Sequence, residues 1–214
     1  MGRTREIPIL YVMVKAPVAG GTKTRLAGTI GSGEALRFYR SVTASLLRRV
    51  SRDPRWRTVL AVSPDRHVGS RFWPASLPRV AQGRGNLGEK MQRLLDLPNG
   101  PKILIGSDIP GIRAAHIPEA FQVLSRRGIV FGPSEDGGFW LVGARPCPAM
   151  PRPFRDVRWS TEHALADTLS NLSRPVGFAA ALADVDTDAD WLRWRSGERD
   201  FAQNDSQLRK KSGN

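Results

Sequence analysis

The chain has almost none of the residues that cross-link or staple a small fold. It contains one cysteine, Cys147, and three histidines, His67, His116 and His163. A single cysteine excludes an intramolecular disulfide and fits a reducing, cytoplasmic location. Three scattered histidines and one thiol do not make an ordinary structural zinc site without carboxylate help. No apolar run is long enough to cross a bilayer, so no membrane partner is expected. Acids are few: 20 Asp and Glu stand against 33 Lys and Arg, a formal net charge of +13. That surplus suits phosphate-bearing partners. The basic residues are spread along the chain, however. The compact cluster outside the first loop is Arg209-Lys210-Lys211, and no recognition motif accompanies it, so nucleic acid is not the expected main partner.

What the chain does have is a core. Its 214 residues are 40% hydrophobic, the length and composition of one ordinary domain. Arg3 and Arg5 precede the apolar run Ile7–Val14, and Ala16-Pro17-Val18-Ala19-Gly20 follows, which loosely imitates a signal peptide. Lys15 closes the run early and its residues favour strands, so the run reads as a first strand.

Apolar runs then alternate with helical patterns. Strands are expected at Ile7–Lys15, Thr58–Ser63, Pro78–Gln82, Lys102–Ser107, Gly128–Gly132, Phe139–Gly143 and Val176–Ala181. Helices are expected at Gly33–Ser51, Leu87–Leu97, Ala115–Arg126 and Thr161–Leu172. In the first helix Ala35, Phe38, Tyr39, Val42, Leu46 and Val50 recur at helical spacing, with Ser32 as the expected cap. The alternation predicts an α/β layered domain with a largely parallel sheet, whose ligand sits at the carboxyl ends of the strands. Residues 1–198 are expected to form this one domain and the basic tail 199–214 to be disordered.

Five segments have chemical potential. The turn after the first strand runs Lys15-Ala16-Pro17-Val18-Ala19-Gly20-Gly21-Thr22-Lys23-Thr24-Arg25-Leu26. Glycines let a backbone approach a phosphate, and Lys15, Lys23 and Arg25 add three positive charges. It is not a Walker A loop, because Thr22 rather than Gly precedes Lys23. A solvated basic loop is the competing explanation. In Ile103-Leu104-Ile105-Gly106-Ser107-Asp108-Ile109-Pro110, three aliphatics lead into a carboxylate, which reads as a magnesium ligand or, more simply, a loop aspartate. Asp184 and Asp186, two apart in an extended segment, project the same way and need a cation or a base between them. Asp188 and Asp190 read as first-turn acids of a helix. Gly132–Gly143 places Asp136-Gly137-Gly138 between two strands, a common hairpin signal. Gly83-Arg84-Gly85-Asn86-Leu87-Gly88 matches the dinucleotide fingerprint, with Asp108 at the distance of a ribose-binding acid. That match keeps open an NAD(P)- or FAD-binding Rossmann enzyme. Its preceding strand is short, and it leaves Lys23, Arg25, Asp184 and Asp186 without a role. The six tryptophans read as packing residues.

In order along the chain, Lys15-x-Pro17-x-x-Gly20-x-x-Lys23-Thr24-Arg25-Leu26, Gly85-Asn86-Leu87-Gly88-Glu89-Lys90-Met91, Gly106-Ser107-Asp108-Ile109-Pro110, Gly132-Pro133-x-x-Asp136-Gly137-Gly138 and Trp159-Ser160-Thr161 resemble a small bacterial transferase family of unknown function. Its members are often labelled glycosyltransferases. It belongs with the GT-A-type nucleotide-diphospho-sugar transferases and is similar to the 2-phospho-lactate guanylyltransferases. The resemblance spans about Ile7 to Trp191. It implies a three-layer α/β/α sandwich on a mixed central sheet. It also implies a donor, a nucleoside triphosphate or nucleotide-sugar, bound by Lys15, Gly20, Lys23, Arg25, Gly85, Asn86, Leu87, Gly88 and Ser107. Mg2+ or Mn2+ would sit on Asp108, Asp184 and Asp186. Lys23, Asp108 and Asp136 would serve catalysis, with Asp136 a base by placement. The acceptor would be a small molecule, phosphorylated if the reaction is nucleotidyl transfer. Where the family usually shows Tyr after Asp-Gly-Gly, this chain has Phe139. Nucleotidyl transfer and glycosyl transfer both fit, and a non-catalytic nucleotide-binding module is the alternative outside enzymology.

Overall fold

The computed structural model describes residues 6–18, 27, 28, 30–98, 100–147 and 150–182. Seven strands, β1 (Ile9–Lys15), β2 (Arg57–Ser63), β3 (Arg79–Ala81), β4 (Lys102–Gly106), β5 (Ile129–Pro133), β6 (Phe139–Ala144) and β7 (Gly177–Phe178), form one sheet in the order β3-β2-β1-β4-β6-β5-β7. The helices are α1 (Ser32–Val50), α2 (Leu87–Asp96), α3 (His116–Arg127) and α4 (Ala164–Ser170). β1 pairs in parallel with β2 and β4, β2 with β3, and β5 with β7. β6 runs antiparallel between β4 and β5. The fold is the expected mixed, mostly parallel α/β sandwich.

Strand alternation divides the core. Leu10, Val12 and Val14 of β1, with Ile103 and Ile105 of β4, pack against Leu46, Leu47 and Val50 of α1 and Ile117, Ala120 and Leu124 of α3. Tyr11 and Leu104 face the other way, toward Met91, Leu94 and Leu95 of α2. Successive side chains of a strand point to opposite faces, so two helical layers cover one sheet. Burial on both faces explains why these strands read as continuous apolar runs. Trp56, Trp73 and Trp140 are buried.

Three boundaries differ from expectation. Ser32 is the first residue of α1 rather than its cap; the cap position is Gly31, at φ 82°, and no side chain caps it. A turn just upstream brings Gly31 N–H onto the Ala27 carbonyl, and a left-handed glycine then redirects the chain. α4 begins at Ala164, after Thr161 has turned back to bond the Arg158 carbonyl. β7 shrinks to two residues, and the chain re-enters the sheet edge only as a bridge between Leu182 and Ser134.

The dinucleotide reading fails on topology. In a fingerprint unit the strands flanking the first helix lie side by side. Here β3 and β4, which flank α2, are separated by β2 and β1. The glycines have a local explanation. Asn86 caps α2 by accepting from Glu89 N–H at 3.0 Å, and Glu89 reaches back to Asn86 N–H at 2.8 Å. A Cβ at Gly85, at φ 105°, would strike the Glu89 carboxylate. The pair is a capping box, whose removal typically costs about 1 kcal/mol.

At the opposite end of the sheet Lys102 is 1% exposed, and its ammonium donates to the Gly100 carbonyl at 3.2 Å. Burial lowers its pKa, against the opposing pull of Glu6 and Asp96. The folded chain therefore holds this proton less firmly than the unfolded chain. The penalty is fully present below the folded pKa and fades as pH rises toward the ordinary lysine value of about 10.4. Lys102→Met is expected to raise stability at neutral pH by about 1 kcal/mol. In denaturant titrations the gain should shrink toward pH 10; a gain independent of pH would show that the buried charge is not its source.

Candidate functional site

The carboxyl ends of β1 and β4 and the turn between β5 and β6 meet around a cavity of about 520 Å3. Lys15 closes β1 there, and Ser107 and Asp108 follow β4. Because β6 is reversed, the β5–β6 hairpin turn falls at the same end, with Asp136 and Gly138 on the wall. Ser134 N–H donates to the Gly138 carbonyl at 3.0 Å, and Gly137 N–H to the Ser134 carbonyl at 3.2 Å. Asp136 accepts from Gly138 N–H at 2.9 Å through one carboxylate oxygen. The segment is thus a hairpin turn and a cavity wall at once.

Lys15, Ser107, Asp108 and Asp136 come together. Of the α2 turn, Leu87 lines the cavity, whereas Asn86 is engaged in its capping box. Gly88 lies under Phe154 and Trp159, where a Cβ would not fit. Gly20, Lys23 and Arg25 lie outside the described residues, as do Asp184 and Asp186. The described chain runs to Leu182, whose N–H donates to the Pro133 carbonyl at 3.0 Å beside the Asp136 turn. Among the described residues there is no cluster of three metal-binding side chains.

Tyr39 of α1 ties these ends together. Its hydroxyl accepts from Lys15 N–H at 2.9 Å, donates to the Lys15 carbonyl at 3.0 Å, and lies 3.2 Å from Ser107 Oγ. Burial raises its pKa, hydrogen bonds from Ser107 and Lys15 oppose this, and the nearby charge of Asp108 adds to the rise. The phenol is neutral at ordinary pH and acts as a fixed connector. Gln82, 5% exposed, does the same between β1 and β2, donating to the Val14 carbonyl at 3.2 Å and the Ala61 carbonyl at 2.8 Å. Neither residue was singled out for the site from the sequence. Tyr39 occupies an apolar helix position, and its only signal was a hydroxyl on that face.

The far wall is Phe139, Trp159, Ser160, Thr161 and Glu162. Phe139 meets Trp159 edge to face with centroids 6.2 Å apart. Ser160 holds φ 62°, an unusual conformation for a non-glycine residue. Gly137, at φ 81°, lies so close to Glu162 that a Cβ would overlap its backbone. Among the described lining residues, Lys15 is the one cation, and Asp108, Asp136 and Glu162 are three acids.

Comparison with known proteins fits this architecture. A family profile described as "Uncharacterized protein conserved in bacteria (DUF2064)" matches residues 46–161, over half of the chain. No curated protein matches. A Desulfovibrio desulfuricans G20 protein, provisionally named a nucleotide-diphospho-sugar transferase, superposes with a TM-score of 0.81 at 24% identity, over 96% of this chain and 91% of its own. A Mycobacterium sp. strain JC1 homologue of Mycobacterium tuberculosis rv0371c gives 0.54 at 16% identity, over 90% of this chain and 97% of its own. A CMP:2-keto-3-deoxy-manno-octonic acid synthetase complexed with CTP gives 0.53 at 10% identity, over 90% of this chain and 98% of its own. Identities this low establish a shared fold.

Two substitutions probe the site's construction. Tyr39→Phe strands the Lys15 amide and carbonyl and should cost about 1–3 kcal/mol, read as a lower melting temperature. Gly137→Ala forces a left-handed alanine against the Glu162 backbone and should cost about 2–4 kcal/mol. Wild-type melting of either variant would contradict the contacts described.

Proposed function

The chain belongs to the DUF2064 family of uncharacterized bacterial proteins, and we propose that it is a divalent-metal-dependent transferase that uses a nucleoside polyphosphate donor and a small hydroxyl-bearing acceptor. The observation that carries this reading is the convergence of Lys15, Asp108 and Asp136 on one cavity at the carboxyl ends of a mostly parallel sheet. Ligands of open α/β sheets bind at that end.

The donor set fits a hard cation. Asp108 offers carboxylate oxygens, Ser107 and Ser134 stand in the same cavity, and among the described residues no thiol or imidazole lines it; its two sulfurs are the thioethers of Met13 and Met91. Mg2+ or Mn2+ would be held by Asp108 with Asp184 and Asp186, which follow Leu182 by two and four residues; the likeness of the fold and the spacing of these acids support this assignment. The ion would supply charge neutralisation for the donor's phosphate oxygens. Lys15, at the mouth of the basic turn that includes Gly20, Lys23 and Arg25, would hold the phosphates of the leaving group as a point charge.

Asp136 is the proposed base. Its one carboxylate oxygen is fixed by Gly138 N–H, which leaves the other to take the proton of an acceptor hydroxyl as that oxygen attacks. Phe139 and Trp159 would exclude water from one side, while Ser160, Thr161 and Glu162 present hydrogen-bonding groups to the acceptor. A wall of carboxylates with one described cation suits an uncharged acceptor better than a phosphorylated one, and this favours glycosyl transfer. Nucleotidyl transfer is the second reading, favoured by the basic turn's capacity for a triphosphate and by the fold shared with a synthetase bound to CTP.

The test pairs Asp108→Asn with donor screening. Thermal shift with each nucleoside triphosphate and nucleotide-sugar, with and without Mg2+, should give metal-dependent stabilisation in the wild type. Asp108→Asn should abolish it while retaining the unliganded melting temperature. Asp136→Asn should keep donor binding and lower turnover by about 100-fold or more. Release of nucleoside diphosphate marks glycosyl transfer; release of pyrophosphate marks nucleotidyl transfer. Absence of any metal-dependent nucleotide binding would overturn the proposal.

A further inference from the structure

On the other side of Tyr39 from the reaction cavity lies a groove of about 730 Å3, between α1 and the segment 72–77. Its volume falls in the range of small-molecule sites. Arg40, Ala44 and Arg48 line it at four-residue spacing along α1, and Arg52 follows just beyond the helix end. Among the described residues no carboxylate lines it. The floor is Leu47, Trp73 and Leu77, and Phe72 stands on the rim, 46% exposed, under the Arg40 guanidinium at 6.0 Å.

The charge in this groove is not matched among the described residues. Some arginines elsewhere have partners: Arg55 with Asp53 at 2.6 Å, Arg152 with Asp96 at 2.9 Å, and Arg158 with Asp167 at 2.7 Å. Among the described residues, Arg40, Arg48 and Arg52 form no ion pair. The charge of Arg48 adds to burial in pulling the Arg49 guanidinium below its ordinary pKa, a sign of repulsion left uncompensated. A basic residue in the last turn of a helix suits the helix dipole, which accounts for Arg48 alone. Arg40, in mid-helix, and Arg52, past the end, gain nothing comparable.

The wall opposite α1 is preformed. Arg79 donates to the carbonyls of Val68, Ser70, Trp73 and Pro74, at 3.2 to 3.4 Å, and Trp73 Nε1 donates to the His67 carbonyl at 3.0 Å. Five hydrogen bonds thus fix the segment that presents Phe72 and Trp73.

We propose that this groove is a second binding site, for a small molecule carrying two or more phosphate groups, held by Arg40, Arg48 and Arg52 beside the exposed Phe72 ring. Guanidinium forks match phosphate oxygens, and an exposed ring beside them accepts an apolar or aromatic portion of the ligand. The site does not depend on how the reaction cavity is used. The two share the Tyr39 side chain as a partition.

The experiment measures binding of inorganic tripolyphosphate to the full chain by calorimetry in EDTA, where the proposed metal-dependent donor binding is silent. The wild type should bind, and Arg40→Ala/Arg48→Ala/Arg52→Ala should weaken binding at least 10-fold. A control triple that removes the same charge at exposed positions elsewhere, Arg126→Ala/Arg155→Ala/Arg174→Ala, should change it less than 3-fold. Asp108→Asn should leave it unchanged, and melting curves should show all variants folded. No binding in EDTA overturns the proposal, as does equal weakening by the two triples, which would mark diffuse attraction to a basic surface. Loss in Asp108→Asn overturns it too, since the anion would then lie in the reaction cavity. A short single-stranded oligoribonucleotide is the final arm. If it binds the groove and tripolyphosphate does not, the surface serves nucleic acid and the proposal is wrong.

Discussion

The phenol of Tyr39 closes the polar junction on which the cavity depends. A parallel sheet ends in unpaired amides and carbonyls at the carboxyl ends of its strands, and such groups are costly when buried. Tyr39 satisfies both backbone groups of Lys15 and touches Ser107, so one hydroxyl fixes the last residue of β1 against the first residue beyond β4. Gln82 repeats the arrangement between β1 and β2. The strand ends can then stop in register and leave their side chains facing the cavity.

The same residue explains why two basins can lie close together without merging. The ring of Tyr39 is buried among the side chains of α1, and its hydroxyl is spent on Lys15 and Ser107. Among the described residues the cavity side of this partition is rich in carboxylates and the groove side holds guanidiniums without an ion pair. On the readings proposed above, opposite charge on the two sides of one helix face would sort ligands by charge: an anion would enter the acidic side with a cation, and the basic side without one.

The sheet and helices were legible because burial on both faces makes strands into apolar runs and helices into 3.6-residue stripes; every expected element up to residue 182 exists within a few residues, while the helix expected at Asp188 and Asp190 and the basic tail 199–214 lie outside the described residues. The positions of Lys15, Asp108 and Asp136 were legible because Lys15 closes an apolar run, Asp108 follows one by two residues, and Asp136-Gly137-Gly138 separates two, which places the first two at strand ends and the third in a turn. Three things were not. Tyr39 and Gln82 act through buried hydroxyl and amide groups at positions that patterning assigns to the core. The glycines of 83–88 matched a dinucleotide fingerprint because a capping box and a phosphate loop make the same demand for positive φ and a missing Cβ. Only the sheet order, which sets β3 and β4 three places apart, distinguishes them. The Ser32 cap was displaced because the chain enters α1 from a preceding turn through a left-handed Gly31.

Strand reversal is what brings the second acid into the site. If β5 and β6 were parallel, a crossover of a dozen residues or more would be needed between them, and the residues after β5 would lead away from the cavity. With β6 antiparallel and inserted between β4 and β5, a hairpin suffices, and its turn lies at the carboxyl end of β5 beside that of β4. Asp136 is thereby held near Asp108 by a few residues of tight turn, with Gly137 admitted against the Glu162 backbone and Leu165 N–H bonded to the Gly137 carbonyl at 3.0 Å. A short turn has little conformational freedom to lose. The geometry between an acid at one strand end and an acid in that turn is therefore set by the sheet itself, which is the rigidity a transfer reaction needs when catalysis comes mainly from positioning.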